Sequence, residues 1–212
     1  MATYKGKGLG AYGDAVTYSF YPTKNMTTGE GGMVTVRDEA LDREVRLLRS
    51  HGETRKYHHE RIGFNYRMSD VEGAVGLSQL DRIEATTARR RENAAALDQG
   101  LADIDGLFTP VATAGAEHAY HLYTVRLDLD VFTVDRDRFV EALRAEGVQC
   151  AVHYPHALTQ QPCFAPYVKG PVPVSEALAT QVFCLPIHQA LTLEQIELTC
   201  EAVRKVAGAY GA

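Results

Sequence analysis

The chain has 212 residues, 45% hydrophobic and 23% charged, with a net charge of −5, which is enough apolar material for one or two small cores. No apolar run approaches membrane-spanning length and the N-terminus has no apolar signal core, so the cytoplasm is the expected location; the mildly acidic balance argues against nucleic acid as a partner. Cys150, Cys163, Cys184 and Cys200 form no Cys-x-x-Cys pair and sit mostly within apolar runs, which reads as buried free thiols ahead of a metal or disulfide role.

From the N-terminus, Gly8-Leu9-Gly10-Ala11-Tyr12-Gly13 matches a bare dinucleotide fingerprint. No strand precedes it and a strand follows it, so a phosphate would meet no helix N-terminus, and the match is discounted. Ala15 to Phe20 alternates polar and apolar residues as a strand does, Pro22 turns the chain, and a glycine-rich return enters a second strand at Met33-Val34-Thr35-Val36. Lys24 therefore sits in a strand-end loop with Ser19, Thr23, Thr27 and Thr28, whose hydroxyls could donate to a phosphate. A lysine that forms a Schiff base needs such a fixed, partly desolvated setting. A hairpin with an exposed lysine is the other reading that composition leaves open.

Asp38 is placed to cap a helix carrying Leu41, Val45 and Leu48, closed by Gly52, with His51 as a capping or core residue at its end. Glu53 to Arg61 reads as a polar, solvated connection, and the adjacent His58 and His59 cannot share a face for a metal. Ser69-Asp70-Val71-Glu72 is a capping box that opens a helix with Val71, Ala74, Val75, Leu77, Leu80 and Ile83. Apolar residues on more than one face predict that this helix is buried, with Gly73 and Gly76 allowing close packing. A charged, alanine-rich helical stretch from Thr86 bridges to Gly106 and holds the domain boundary, giving domains 1–88 and 89–212; its Arg89-Arg90-Arg91 run reads as a solvated face.

The remainder predicts a compact α+β unit without internal repeats. Strands are expected at Tyr120 to Leu127, Val148 to Val152 and Val182 to Leu185, with a helix from about Arg136 to Glu146 ended by Gly147. A second capping box, Thr192-Leu193-Glu194-Gln195, opens a final helix bearing Ile196, Leu198, Val203 and Val206.

The segments Gly13-Asp14 through Gly32-Met33-Val34, Arg49-Ser50-His51-Gly52 and Gly63-Phe64-Asn65-Tyr66-Arg67-Met68-Ser69-Asp70, in that order, resemble the DegT/DnrJ/StrS family of pyridoxal-phosphate sugar aminotransferases. The likeness continues through Gln79-Leu80, Arg90-Arg91, His121-Leu122-Tyr123, His153-Tyr154-Pro155, Gln161-Pro162 and Leu185-Pro186. It implies an α/β fold of the fold type I, aspartate aminotransferase-like kind, with an incomplete large domain and a small C-terminal α+β domain. It also implies that Lys24 is the Schiff-base lysine, that Ser19 binds the pyridoxal 5'-phosphate phosphate, and that Asn65 reaches the phosphate of the neighbouring subunit in a homodimer. Relatives with histidine at the lysine position act as dehydratases, so Lys24 favours transamination.

By the same resemblance, the substrate is a keto group on a nucleotide-linked sugar or a cyclitol, the donor is an amino acid such as glutamate, and the small domain helps to bind the substrate. His153 and Tyr154 are its candidate contacts. The chain departs from the family's His-Tyr-x-x-x-x-His-x-Gln-Pro pattern at Thr159, where histidine is expected, and has Ala157 where proline is common. The family segment preceding Tyr4-Lys5-Gly6, which carries the aspartate that pairs with the pyridinium nitrogen, has no counterpart before Met1. The expectation is a carboxy-terminal portion, and a non-catalytic dimerising or substrate-binding relative is the alternative to an enzyme.

Overall fold

In the computed structural model, which describes residues 1–211, the chain is α/β. Its strands and α-helices follow the order β1 (Thr3–Tyr4), β2 (Lys7–Gly8), β3 (Ala15–Ser19), β4 (Gly32–Val36), α1 (Glu39–Arg49), β5 (Glu53–Arg55), β6 (His58–His59), α2 (Asp70–Leu80) and α3 (Ile83–Leu101). There follow β7 (Leu107–Phe108), β8 (Ala116–Glu117), β9 (Tyr123–Leu127), α4 (Arg136–Ala145), α5 (Pro173–Gln181), β10 (Val182–Leu185) and α6 (Leu193–Tyr210). No helix among the described residues is long and apolar enough to cross a membrane. Two compact units emerge. One is Met1–Thr87 together with Thr113–Ala119; the other is Ala88–Ala112 together with the chain from Tyr120.

The first unit holds three small antiparallel sheets: β2-β1-β8, the β3–β4 hairpin and the β5–β6 hairpin. In the β3–β4 pair Ala15 faces Val36 and Ser19 faces Gly32. Asp38 caps α1 by accepting from the Leu41 N–H at 2.8 Å, as its sequence position predicts. Beyond α1 the chain turns through two left-handed residues, His51 (φ 56°) and Gly52 (φ 69°), and the Gly52 N–H closes on the Leu47 carbonyl at 2.7 Å. His51 is exposed and not in a core; its carbonyl contacts His59 Nδ1 at 2.9 Å.

The capping box of α2 forms as predicted, Ser69 accepting from the Glu72 N–H and Glu72 accepting from the Ser69 N–H. The expectation of a buried helix does not survive. Val71 is 75% and Leu77 67% exposed, because nothing among the described residues covers that face. The helix also ends earlier than expected, at Leu80, and the buried Ile83 opens α3 instead. Gly76 does permit a close approach: a Cβ there would lie 3.0 Å from Thr28 Cγ2, whereas one on Gly73 would meet nothing.

The second unit is built on an antiparallel sheet, β10-β9-β7. Leu97, Leu101, Tyr123, Val125, Phe139, Leu143, Phe183 and Val203 form a continuous core between this sheet and its helices. The first expected strand begins only at Tyr123, since Tyr120 adopts a left-handed φ of 45° that a strand cannot use. The expected strand at Val148 to Val152 shrinks to one bridge, Ala151 with Cys184; the chain is still turning there, with the Cys150 N–H bonded to the Val148 carbonyl at 3.0 Å. The unpredicted β7 supplies the third strand.

The arginine run is not a solvated face throughout. Arg90 is 6% exposed and donates to the Tyr120 carbonyl at 3.0 Å, and burial pushes its guanidinium pKa down. Asn93 beside it on the helix is fully buried and donates to the His188 carbonyl at 3.0 Å. These bonds replace part of the water that a buried polar group loses, while Arg90 Nε and Asn93 Oδ1 stay buried without a partner. Three of the four cysteines, Cys150, Cys184 and Cys200, are buried as expected, and Cys163 is exposed.

Candidate active site

Lys24 lies in the loop joining β3 to β4, and that loop is shaped by bonds to its own backbone. The Phe20 N–H donates to the Gly31 carbonyl at 2.9 Å, the Thr28 N–H to the Phe20 carbonyl at 3.0 Å, and the Lys24 N–H to the Tyr21 carbonyl at 2.9 Å. Thr27 Oγ1 donates to the Phe20 carbonyl at 3.0 Å, and the buried Thr28 donates through Oγ1 to the Glu30 carbonyl at 2.5 Å. Thr27 and Thr28 are thus structural, which corrects the expectation that they donate to a phosphate: a hydroxyl has one hydrogen, and theirs are committed. Gly31, at φ 149°, has no room for a side chain, since a Cβ would lie 2.3 Å from Thr28 Oγ1.

Ser19 ends β3 on the exposed side and accepts from the Tyr21 N–H at 3.4 Å, which leaves its own hydrogen to give elsewhere. Thr23 is exposed and Lys24 half-buried. Asn25, next to the lysine, donates from Nδ2 to the Ala119 carbonyl at 2.7 Å, while its Oδ1 is buried without a partner. A half-buried lysine with a hydroxyl donor at the neighbouring strand end fits a phosphorylated aldehyde, the amine meeting the carbonyl carbon and the hydroxyl a phosphate oxygen. No group of His, Cys, Asp or Glu among the described residues could hold a metal ion.

Asn65 is exposed on a segment locked against the end of α1. The Phe64 N–H bonds to the Leu48 carbonyl at 2.7 Å, the Tyr66 N–H to the Arg49 carbonyl and the His51 N–H to the Phe64 carbonyl, both at 2.9 Å. The crossing of this segment over the helix end admits only glycine: a Cβ on Gly63 would lie 2.2 Å from the Gly52 nitrogen. Ion pairs of Arg43 with Glu60 and Arg61 with Glu44 tie the chain just after β6 to α1. Phe64 and Tyr66 flank Asn65 with their rings stacked at 4.9 Å. Both line an open, mostly apolar hollow of about 670 Å³ together with Tyr18, Met33, Val34, Val45, Leu48 and Met68.

His153 and Tyr154 belong to the second unit. His153 is half-buried with its Nδ1 unpartnered, and Tyr154 is exposed. At the two positions that depart from the family pattern, Ala157 is buried and Thr159 holds a buried hydroxyl with no partner. Ser19 and Lys24 therefore lie at one strand end and in the loop that follows it, Asn65 occupies a separate segment of the same unit, and the His153 pair lies in the other unit. Sequence reasoning missed Asn25 and the Gly52–Gly63 crossing; both become visible only when residues distant in sequence are brought together.

The DegT/DnrJ/EryC1/StrS aminotransferase family profile matches residues 1–204. A UDP-N-acetyl-3-dehydro-alpha-D-glucosamine 3-aminotransferase from Acidithiobacillus ferrooxidans is 35% identical, covering 96% of this chain and 54% of that protein. GDP-perosamine synthase from Caulobacter vibrioides is also 35% identical, over 97% and 56%. The crystal structure of S. venezuelae DesV in complex with a ketimine intermediate superposes with a TM-score of 0.89 at 34% identity, covering 97% of this chain and 55% of that one. The chain thus spans about half the length of the relatives it matches.

Proposed function

The chain belongs to the DegT/DnrJ/EryC1/StrS aminotransferase family, whose members depend on pyridoxal 5'-phosphate, and on that premise we propose that it carries the lysine and part of the phosphate site of a sugar aminotransferase. The substrate is a keto group on a nucleotide-linked sugar, as the names of the relatives suggest, and the donor is an amino acid such as glutamate. The observation that carries this reading is Lys24 itself, half-buried in a loop whose own threonines hold it in shape.

In this proposal Lys24 Nζ holds the cofactor covalently, Ser19 Oγ donates to its phosphate, and Asn65 donates to the phosphate of a second copy. When bound, the cofactor supplies an electron sink for the carbon that gains or loses the amine. Once the amino donor has displaced it, Lys24 is the general base and acid: its Nζ takes a proton from one carbon and returns it at another. His153 and Tyr154 contact the substrate. Borohydride reduction of cofactor-loaded protein followed by peptide mapping tests the assignment. The adduct is expected on Lys24, and an adduct on any other lysine refutes it.

A further inference from the structure

Resting on the reading of Lys24 as the cofactor's lysine, we propose that Asn25 is a positioning residue for it, fastening the lysine loop to the segment Thr113–Ala119. The bonds made by Lys24 N, Thr27 and Thr28 all close within the loop. They set its shape. Its place in the unit is set on one side by Thr28 and Met26 packing at Gly76 of α2 and, toward the segment Thr113–Ala119, by the Asn25 Nδ2 bond to the Ala119 carbonyl, 94 residues away in sequence. Its far end is well anchored: Thr3 pairs with Glu117 and Tyr4 with Ala116, the Lys5 N–H donates to the Gly115 carbonyl at 2.7 Å, and Thr3 Oγ1 donates to Glu117 Oε2 at 2.6 Å.

The amide's orientation is fixed, because a carbonyl only accepts and so must face the NH₂ group. That leaves Oδ1 buried with no donor; an apolar residue of the same size would remove that unpaired oxygen but leave the Ala119 carbonyl without its donor. Consecutive Cα atoms are about 3.8 Å apart, so where Asn25 is pinned, the base of the Lys24 side chain is pinned as well.

The test uses the protein expressed from its natural coding region, with two variants: Asn25→Leu, which removes both polar atoms, and Asn25→Asp, which keeps an acceptor but loses the donor. Formation of the Lys24 adduct with pyridoxal phosphate is followed by its visible absorbance. Binding of pyridoxine phosphate, which has an alcohol in place of the aldehyde, reports the same site without the covalent bond. Adduct formation is expected to slow about tenfold in both variants, the equivalent of one lost hydrogen bond, while pyridoxine phosphate binds as before. Aspartate at the unaltered rate, or an equal loss for both ligands, overturns the positioning role; the second result would mean that Asn25 only supports the fold. No adduct on Lys24 in the unaltered protein instead overturns the underlying assignment, and this inference with it.

Discussion

In the proposed site Ser19, at the end of β3, and Lys24, in the loop that follows, have separable tasks, one toward a phosphate and one toward an aldehyde. Ser19→Ala is therefore expected to weaken pyridoxal phosphate binding by about tenfold, the scale of a hydrogen bond to a charged group, and to leave unphosphorylated pyridoxal unaffected. Fluorescence titration with the two ligands checks this, and equal weakening of both would remove Ser19 from the phosphate site. The cysteines give a second residue-scale expectation. Burial pushes the thiols of Cys150, Cys184 and Cys200 up in pKa, whereas Cys163 is exposed. Since the thiolate is the reactive form, mass spectrometry after brief alkylation should find Cys163 modified first and the other three only after unfolding.

At the scale of elements, the start of α2 rests on its capping box. The backbone and side-chain hydrogen bonds from Ser69 hold the Glu72 carboxyl below its usual range. A depressed carboxylate contributes stability above its unfolded pKa of about 4.3 and loses that contribution as the pH falls through the folded value. Glu72→Gln, which removes the titrating group, should accordingly lower the thermal midpoint at neutral pH and flatten its fall on acidification; an unchanged pH profile would show that the Glu72 carboxylate contributes nothing. In the second unit, Phe139 lies fully buried against Phe132 and Phe183, at ring distances of 5.2 and 5.8 Å. Phe139→Ala should cost about 3–5 kcal/mol, read as a lowered denaturation midpoint.

Across the whole molecule the two units differ in what they bury. The continuous core belongs to the second unit, while in the first unit Met33, Val34, Val71, Leu77 and the Phe64–Tyr66 stack remain exposed. Each large apolar side chain left in water forgoes roughly 1.5–3 kcal/mol, against a net domain stability of about 5–15 kcal/mol. With these 212 residues expressed alone, limited proteolysis should cut first within Met1 to Ile83 and leave a resistant fragment from about Arg89 onward. A resistant first unit would show that it is self-sufficient. The proposed role of Asn65 also belongs to this scale. In subunits that include the remaining family fold, mixing Lys24→Ala with Asn65→Ala protein should restore part of the cofactor binding, because a hybrid dimer regains one intact site. No recovery would place Asn65 in its own subunit's site or outside any site.

The chain by itself determined whatever rests on contacts close in sequence. The β3–β4 alternation, the Asp38 cap and both capping boxes are local, since each needs only neighbours within a few residues, and motif order sufficed for the family. Tertiary structure decided the rest. It decided that Thr27 and Thr28 serve the loop's backbone, that Arg90 is buried against a carbonyl 30 residues away, and that Asn25 reaches Ala119. It also decided that α2 stands exposed despite apolar residues on more than one face, because periodicity reveals which faces are apolar but not whether anything covers them. Side-chain partners distant in sequence carry no local signal, so their hydrogen bonds and burial exist only once the fold has brought them together.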